Sequence, residues 1–320
     1  MAQQKTAVVF GGSGFIGTRI VAALAKDGWR VRVASRNVTK ARSARLFGEV
    51  GQIAAFRAPL QDKESVKAVL RGADLVINCV GILAEFGQQS FAAVQSEGAI
   101  RLARLAAEAD VGDFVHISSI AADVNSPSAY ARTKAEAEAG VLSYIPQATI
   151  LRPSLVFGPE DGFFCRFAGM ARLSPFLPVI GTGKSTFQPV YVGDVVAAVM
   201  AVLDTAAAKG QVYALGGPST YSFKELMAFT VQCIRRRRAL IHIPEPLAAF
   251  AAMLTGWIPG APLTSDQLLL LQEDSVVTSG QKTLQDLGIS PRSIEAMVPE
   301  YLSSYRPGGR FEIEVKSSKD

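Results

Sequence analysis

The chain has 320 residues, of which 49% are hydrophobic and 19% charged, with a formal net charge of +5; one large globular α/β domain with an appended lobe has this size and balance. No apolar run reaches the roughly 18 residues that span a bilayer, and Met1 to Thr6 lead directly into a predicted strand, so neither a transmembrane helix nor a signal or transit peptide is expected. Three widely spaced cysteines and two histidines form no disulfide or metal-ligand pattern, and the modest charge without a basic groove does not indicate nucleic-acid binding.

Apolar strand-like runs alternate with helical periodicity through the first half of the chain. The predicted strands are Ala7–Phe10, Arg30–Ser35, Ile53–Arg57, Leu75–Val80, Phe114–Ser118 and Thr149–Leu151. The predicted helices are Phe15–Asp27, Val38–Leu46, Asp62–Leu70, Gln89–Ala109 and Tyr130–Ser143. This alternation predicts right-handed βαβ units, and therefore an α/β fold with a doubly wound parallel sheet over residues 1–157.

After residue 157 prolines become frequent and the strict alternation is lost. The predicted helices of this half are Gly193–Asp204, Ser222–Ile234, Leu247–Leu254, Ser265–Gln272 and Pro291–Leu302. Ser222 and Glu225 have the spacing of a capping box, and Ser290 is the predicted N-cap of the last helix, before Pro291. We expect a smaller mixed α/β lobe over residues 158–305, with elements that return to the main sheet, and a poorly ordered polar tail over 306–320.

Three glycines, Gly11, Gly14 and Gly17, lie between the first predicted strand and the first helix. A tight turn, a close approach of the backbone to phosphate and tight helix–strand packing each favour glycine. Unpaired N–H groups and the helix dipole at this helix start attract a pyrophosphate. The motif is therefore typical of a Rossmann-type dinucleotide-binding domain. The alternative is a glycine-rich turn that serves packing alone.

The residues after the second predicted strand bear on which nucleotide binds. A carboxylate there would bind the free 2′-hydroxyl of the adenosine ribose, whereas an arginine accommodates a 2′-phosphate. This chain has Arg36 after Ser35 and no carboxylate, which predicts NADP(H) over NAD(H). Arg19, Lys40 and Arg42 could add positive charge. Arg36 could instead stack on the adenine or lie in solvent.

Ser118 and Ser119 follow the fifth predicted strand, and Tyr130 and Lys134 begin the next helix. A spacing of four places Tyr130 and Lys134 on one helical face. An ammonium beside the phenol is expected to lower the pKa of Tyr130 and make it a proton donor or acceptor, while a strand-end hydroxyl holds a substrate carbonyl. Alternatively, Tyr130 and Lys134 only pack against the ribose and nicotinamide.

Longer stretches extend these motifs, namely Ser126–Glu136, Ile150–Asp161, Phe163–Ala168, Phe187–Val195, Leu263–Gln267 and Asp274–Val277. Together with the glycine motif they resemble the atypical or extended short-chain dehydrogenase/reductases, which include epimerase-like members. More narrowly, the chain is similar to the accessory subunit of respiratory complex I (NADH:ubiquinone oxidoreductase) that has this fold, including its bacterial relatives. The similarity covers nearly everything except the tail.

That resemblance implies a tightly held NADP(H) kept largely for structure, without established turnover, in a protein docked on the peripheral arm of complex I near the membrane junction. It implies that the nucleotide phosphates contact Gly11, Gly14, Gly17 and Arg36. It also implies that Tyr130 and Lys134 hold the nicotinamide ribose and that Pro153 and Ser154 flank the ring, while Ser119 matches the family's hydroxyl position. The predicted set of cofactor contacts is completed by Phe15, Ile16, Leu60, Val80, Gly81 and Ser118.

Some residues depart from the family's pattern. The short segment between Ser119 and Tyr130 leaves little room for the sugar-binding segment of related epimerases. Pro59 lies near where many relatives have an aspartate, and Cys165 replaces a polar residue. The retained Tyr130 and Lys134 keep a second hypothesis open, an NADP-dependent reductase or epimerase with Tyr130 as the acid.

The densest run of charge is Arg235–Arg238, and the apolar stretch Pro246–Trp257 follows closely. The arginines either lie in solvent at a helix C-terminus, where the dipole favours them, or form a patch for anionic lipid or an acidic partner subunit. The apolar stretch is either lobe core or a docking element. We expect peripheral attachment at the cytoplasmic face of a bacterial inner membrane, or on the matrix side if the source is mitochondrial.

Overall fold

A seven-stranded parallel sheet forms the centre of the computed structural model, which describes residues 4–255 and 264–309. The strands are β1 (Thr6–Phe10), β2 (Arg30–Ser35), β3 (Ile53–Arg57), β4 (Leu75–Asn78), β5 (Asp113–Ile117), β6 (Thr149–Pro153), β7 (Val156–Phe157), β8 (Phe176–Ile180), β9 (Thr186–Phe187), β10 (Val190–Tyr191), β11 (Val212–Leu215), β12 (Tyr221–Ser222) and β13 (Ala239–Ile243). The main sheet has the order β3-β2-β1-β4-β5-β6-β11. The strand order reverses between β1 and β4, and such a switch point is where open α/β sheets bind ligands.

Helices cover both faces of this sheet. The helices of the main domain and the lobe, in chain order, are α1 (Phe15–Lys26), α2 (Val38–Arg42), α3 (Lys63–Leu70), α4 (Glu97–Glu108), α5 (Ala129–Tyr144), α6 (Phe164–Leu173), α7 (Val192–Asp204), α8 (Phe223–Cys233), α9 (Glu245–Thr255), α10 (Ser265–Leu270) and α11 (Ile294–Tyr301). Helices α1 and α7 pack on one face with Val9, whereas α3, α4 and α5 pack on the other with Val8. Neighbouring residues of β1 point to opposite faces. The predicted Rossmann-type doubly wound fold is confirmed.

A smaller lobe follows β6 and has its own apolar core, built on α6, α8 and α11. Strands β8 and β13 form a separate parallel pair. The buried carboxylate of Asp161 accepts hydrogen bonds from the amides of Gly158 and Phe163 and from the Tyr301 hydroxyl, the last at 2.6 Å. The chain also returns to the main sheet, because β11 pairs with β6 and α7 packs against α1.

Several predicted boundaries were wrong for identifiable reasons. The last helix is capped by Ser293 rather than Ser290, because Asp194 accepts the Arg292 amide at 2.7 Å and holds that residue outside the helix. The long helix predicted from Gln89 contains a π-helical segment, Ala92–Ser96, before α4. The Ser222–Glu225 capping box is confirmed.

Within the described part of the chain, no helix combines the length and hydropathy needed to cross a membrane. Most of the predicted tail, from residue 310 onward, lies outside the described residues. So does the end of the apolar stretch that includes Trp257.

Candidate functional site

The glycine turn joins β1 to α1 at the switch point of the sheet. Gly11 has φ +74°, and a methyl group there would come within 2.9 Å of the Cys79 carbonyl. A methyl group at Gly17 would lie 2.8 Å from the Gly12 Cα. Glycine is therefore required at Gly11 by conformation and contact, and at Gly17 by contact with the turn.

Gly14 has a different environment. It is the N-cap of α1 with φ −90° and ψ 179°, a conformation open to any residue. Apart from its chain neighbours, a methyl group there would meet one atom of the described residues within 4 Å, the Gly11 carbonyl oxygen at 3.2 Å. Gly14 has no side chain that could cap α1, and the first turn of the helix contains no acidic residue. The N–H groups and positive dipole at this helix start are thus available to an anion.

A cleft with an empty volume of about 850 Å³, open to solvent at its mouth, begins at this turn. Six of the predicted cofactor contacts line it: Gly11, Gly14, Arg36, Leu60, Val80 and Gly81. The strand-end turns after β1, β2, β3 and β4 all contribute to the cleft wall.

The cleft wall is positively charged. Arg36 and Lys40 line it and are exposed, and no carboxylate lines it among the described residues. Arg19 does not line the cleft. Its guanidinium lies 4.6 Å from the Phe15 ring centroid and donates to the Pro159 carbonyl. Arg42 does not line the cleft.

The second cluster of predicted residues lies beyond β5 and at the start of α5. Lys134 is buried and donates to the Ile117 carbonyl at 3.1 Å, and its Nζ lies 6.0 Å from the Tyr130 ring centroid. The Phe91 ring packs edge-on against Tyr130, with centroids 5.9 Å apart. The Ser119 side chain lies close enough to Tyr130 to influence the pKa of its hydroxyl. Ser119, Tyr130 and Lys134 are therefore brought together.

The expected lowering of the Tyr130 pKa was wrong. Burial raises the pKa of Tyr130, the hydrogen bond with Ser119 opposes this, and the charge of Asp266 raises it further. Burial also lowers the pKa of Lys134 to about 8, against smaller opposite effects of Glu138 and Cys79. Desolvation is the largest effect on the pKa of both groups, and a sequence does not show desolvation.

The cleft and the Tyr130 cluster meet at Gly81. A methyl group on Gly81 would lie 3.5 Å from both Lys134 Nζ and Gln95 Oε1. Gln95 Oε1 and Ser118 Oγ are buried and have no hydrogen-bond partner in the described part of the chain. These features fit an extended polar ligand with a diphosphate at its centre. The diphosphate would lie in the open space at Gly14, against the amides of the α1 start, and one end of the ligand would reach the unpaired polar atoms near the second cluster.

Eight of the fourteen predicted cofactor contacts do not line the cleft. Gly17 packs on the glycine turn, and Ser118, Tyr130 and Lys134 lie at the second cluster; the other four are Phe15, Ile16, Pro153 and Ser154. Phe15 and Ile16 form the first turn of α1, so their backbone rather than their side chains borders the glycine turn. Pro153 ends β6, and its carbonyl accepts from the Ile120 amide at 3.0 Å. The Ser154 hydroxyl donates to the Ser275 carbonyl at 2.6 Å.

Sequence reasoning missed the role of Asp266. Its carboxylate accepts hydrogen bonds from the Ala129 amide at 2.6 Å, the Tyr130 amide at 3.2 Å and the Ser128 hydroxyl at 2.9 Å. The partners lie 136 to 138 residues away. Asp266 falls in a stretch that matched the family pattern, but no local motif signals a cap supplied from so far along the chain.

Two of the four consecutive arginines donate hydrogen bonds to carbonyls of the chain itself. Arg236 Nε donates to the Tyr305 carbonyl at 3.1 Å, and Arg238 Nε donates to the Ala171 carbonyl at 2.7 Å. Arg235 and Arg237 are exposed. On α9, which follows β13 in the chain, Leu247 and Phe250 are 61% and 57% exposed.

The chain belongs to the NAD dependent epimerase/dehydratase family, whose model matches residues 7–216. That match spans the main sheet, the glycine turn, the cluster around Tyr130 and the return strand β11. The family description fits a nicotinamide dinucleotide as the ligand of such a site.

Two curated relatives are similar to nearly the whole chain. The chain is 36% identical over 316 residues to NADH dehydrogenase [ubiquinone] 1 alpha subcomplex subunit 9, mitochondrial, of Arabidopsis thaliana, covering 95% of this chain and 78% of that protein. It is 31% identical over 317 residues to the NADH-ubiquinone oxidoreductase 40 kDa subunit, mitochondrial, of Neurospora crassa, covering 98% and 83%. The chain is thus a homologue of these complex I subunits over almost its entire length.

The fold is also that of a solved enzyme. The structure of dTDP-glucose 4,6-dehydratase from Bacillus anthracis in complex with NAD superposes with a TM-score of 0.71 at 16% identity, covering 94% of this chain and 96% of that chain. At this identity the likeness concerns the fold alone.

Proposed function

We propose that this chain is an NADP(H)-binding accessory subunit that stabilises or assists the assembly of respiratory complex I. The observation that carries the proposal is the similarity to complex I subunits over nearly the whole chain, at 36% identity to the plant protein. The cleft between the glycine turn and Arg36 supports the nucleotide part of the proposal.

The choice of NADP(H) over NAD(H) rests on the charge of the cleft. Arg36 and Lys40 lie where the adenosine ribose is bound in dinucleotide domains, and no carboxylate of the described residues competes with them. An arginine fork suits a phosphate, whereas an NAD-binding site of this type places an acidic residue there.

The nucleotide is proposed to act as a structural brace. A bound nicotinamide would supply hydride chemistry, but a ligand that binds only the folded state also stabilises it. At a thousandfold excess over Kd this contribution is about 4 kcal/mol. Gly11 and Gly14 would admit the diphosphate, Tyr130 and Lys134 would orient the nicotinamide ribose, and Leu60 would border the adenine end.

The proposed partners are subunits of the peripheral arm near the junction with the membrane. Leu247 and Phe250 of α9 are exposed, and so are Arg235 and Arg237 before β13, so this part of the lobe presents both apolar and basic side chains to solvent. Such surfaces suit acidic partner subunits or anionic lipid headgroups. The location proposed for the protein is the cytoplasmic face of a bacterial inner membrane, or the matrix side in a mitochondrion.

Purification at native expression from detergent-solubilised membranes tests this function. The chain is expected to migrate with complex I subunits, and replacement of the exposed Arg237 by Glu is expected to weaken that association while leaving thermal stability unchanged. The matched control is replacement of Arg236 and Arg238, which bind carbonyls of the chain itself and should lower stability. Migration of the wild-type chain apart from complex I would reject the proposal.

The arrangement of Ser119, Tyr130 and Lys134 favours one alternative, an NADP-dependent reductase or epimerase. Tyr130→Phe separates the two functions, because it removes the hydroxyl that would transfer a proton and keeps the ring that packs on Phe91. Intact complex I assembly and respiration in this variant would support the brace. Loss of an NADPH-consuming activity of the soluble protein would support the enzyme.

A further inference from the structure

The segment Thr264–Ser275, called the strap below, contacts three elements around the Tyr130 cluster. Gln267 Nε2 donates to the Leu83 carbonyl at 2.8 Å, in the loop after β4 that contains Val80 and Gly81. Asp266 caps the start of α5. The Ser275 carbonyl accepts the Ser154 hydroxyl at the end of β6. One segment of the lobe therefore joins three strand-end elements of the main domain.

The contact with α5 satisfies backbone groups that have no partner within the helix. The first N–H groups of a helix have no partner within the helix and need an outside acceptor. Ser128 is fully buried and its hydroxyl caps the Ala131 amide at 3.2 Å, while the Asp266 carboxylate accepts from the Ala129 and Tyr130 amides. A carboxylate at this end also interacts favourably with the helix dipole.

The amide that Asp266 binds belongs to Tyr130 itself. The bond from the Tyr130 amide to Asp266 Oδ2, together with the edge contact with Phe91, fixes where the Tyr130 ring stands relative to Lys134 and Ser119. Removing the carboxylate would leave two amides at a partly buried helix start without their acceptor. The first turn of α5 would then shift or fray, and Tyr130 would move with it.

We propose that Asp266 is a positioning residue, which holds the start of α5 so that Tyr130 can bind the nicotinamide half of the dinucleotide. The identity of the ligand rests on the function proposed above. The adenosine half lies at the cleft lined by Gly14 and Arg36, which the strap does not border. Loss of Asp266 should therefore weaken binding of the nicotinamide half and leave the adenosine half unaffected.

Isothermal titration of two ligands against the full chain tests the proposal. NADPH engages both halves of the site, whereas 2′,5′-ADP carries the adenosine and 2′-phosphate without the nicotinamide. For Asp266→Asn we expect about a tenfold or greater rise in the Kd of NADPH, the size of one charge-assisted hydrogen bond, with the Kd of 2′,5′-ADP unchanged. Asp266→Glu, which keeps the charge, should restore part of the NADPH affinity.

Asp274→Asn is the matched control. Asp274 lies in the strap and also accepts a backbone amide, that of Thr186 at 2.7 Å, but it does not touch α5. This variant should bind both ligands as the wild type does. An equal loss of NADPH affinity in Asp274→Asn and Asp266→Asn would overturn the proposal, since the strap would then act only through its general stability.

Ser128→Ala is the second test variant, for the case that Asp266→Asn fails to fold. It removes one of the three donors to Asp266 and keeps the carboxylate, so a smaller, severalfold loss of NADPH affinity with unchanged 2′,5′-ADP binding is expected. Equal losses for both ligands would reject the positioning role. If the wild type binds neither ligand, the proposed function is rejected. If the wild type binds both ligands but the variants do not lose NADPH affinity selectively, only the positioning role of Asp266 is rejected.

Discussion

Replacement of Gly14 by Ala separates nucleotide binding from folding. The added methyl group meets one protein atom, the Gly11 carbonyl oxygen at 3.2 Å, and the backbone at Gly14 is in a conformation that alanine adopts freely. Alanine is a poorer N-cap than glycine, but it also reduces the entropy of the unfolded chain, so the free energy of unfolding should change by about 1 kcal/mol or less. The fold should be retained.

The same methyl group should be costly for the nucleotide. Gly14 lines the cleft, and the methyl group would project where a phosphate must approach the amides of the α1 N-terminus. Loss of one charge-assisted hydrogen bond is worth about 1.5–3 kcal/mol. Every 1.4 kcal/mol changes a dissociation constant about tenfold, so the Kd of NADPH should rise roughly ten- to a hundredfold.

Titration calorimetry for NADPH and a thermal melt of each variant measure the two effects. Gly28→Ala is the matched control, because Gly28 has φ +83° and no atom within 4 Å of an added methyl group; it should lose about 1 kcal/mol of stability and bind NADPH normally. Gly17→Ala should impair both properties, since its methyl group collides with the backbone of the turn. A wild-type Kd for Gly14→Ala would refute the reasoning.

Three further predictions follow from the charges of the site and the core. Arg36→Glu should raise the Kd of NADPH by more than about tenfold and change that of NADH far less, which competitive titration would reveal. Burial lowers the pKa of His116 to about 3, so below pH 6.5 the unfolded chain takes up a proton that the native state does not. Urea unfolding from pH 6 to 4 should show the wild type losing about 1.4 kcal/mol more per pH unit than His116→Gln, and parallel curves would contradict this. The Glu138 side chain is 6% exposed and pairs with Arg152; Glu138→Ala should cost about 2–4 kcal/mol, whereas replacing both residues by apolar ones should cost less.

The fold was predictable because its signals are local. The alternation of strand and helix patterns specifies a parallel sheet, and the three glycines between β1 and α1 specify a ligand-binding turn. Neither signal depends on contacts with distant segments of the chain. Arg36 was predictable for the same reason, since its place is fixed by the end of β2.

Features that depend on contacts between distant segments were not predictable. The N-cap of α11 is Ser293 rather than the predicted Ser290, because the Arg292 amide donates a hydrogen bond to Asp194. The pKa of Tyr130 is raised because burial outweighs its neighbours, and burial is a property of the packed molecule. The cap that Asp266 gives to α5 joins residues 136 to 138 positions apart.

The nucleotide content of the purified chain tests the central claim most directly. Protein isolated at native expression can be denatured with acid and alkali in parallel, and the released dinucleotides identified and quantified against the protein. We predict equimolar NADP(H), with NAD(H) in minor amount, and loss of that nucleotide in Gly14→Ala. Protein that carries no dinucleotide and binds none when NADPH is added would contradict the account.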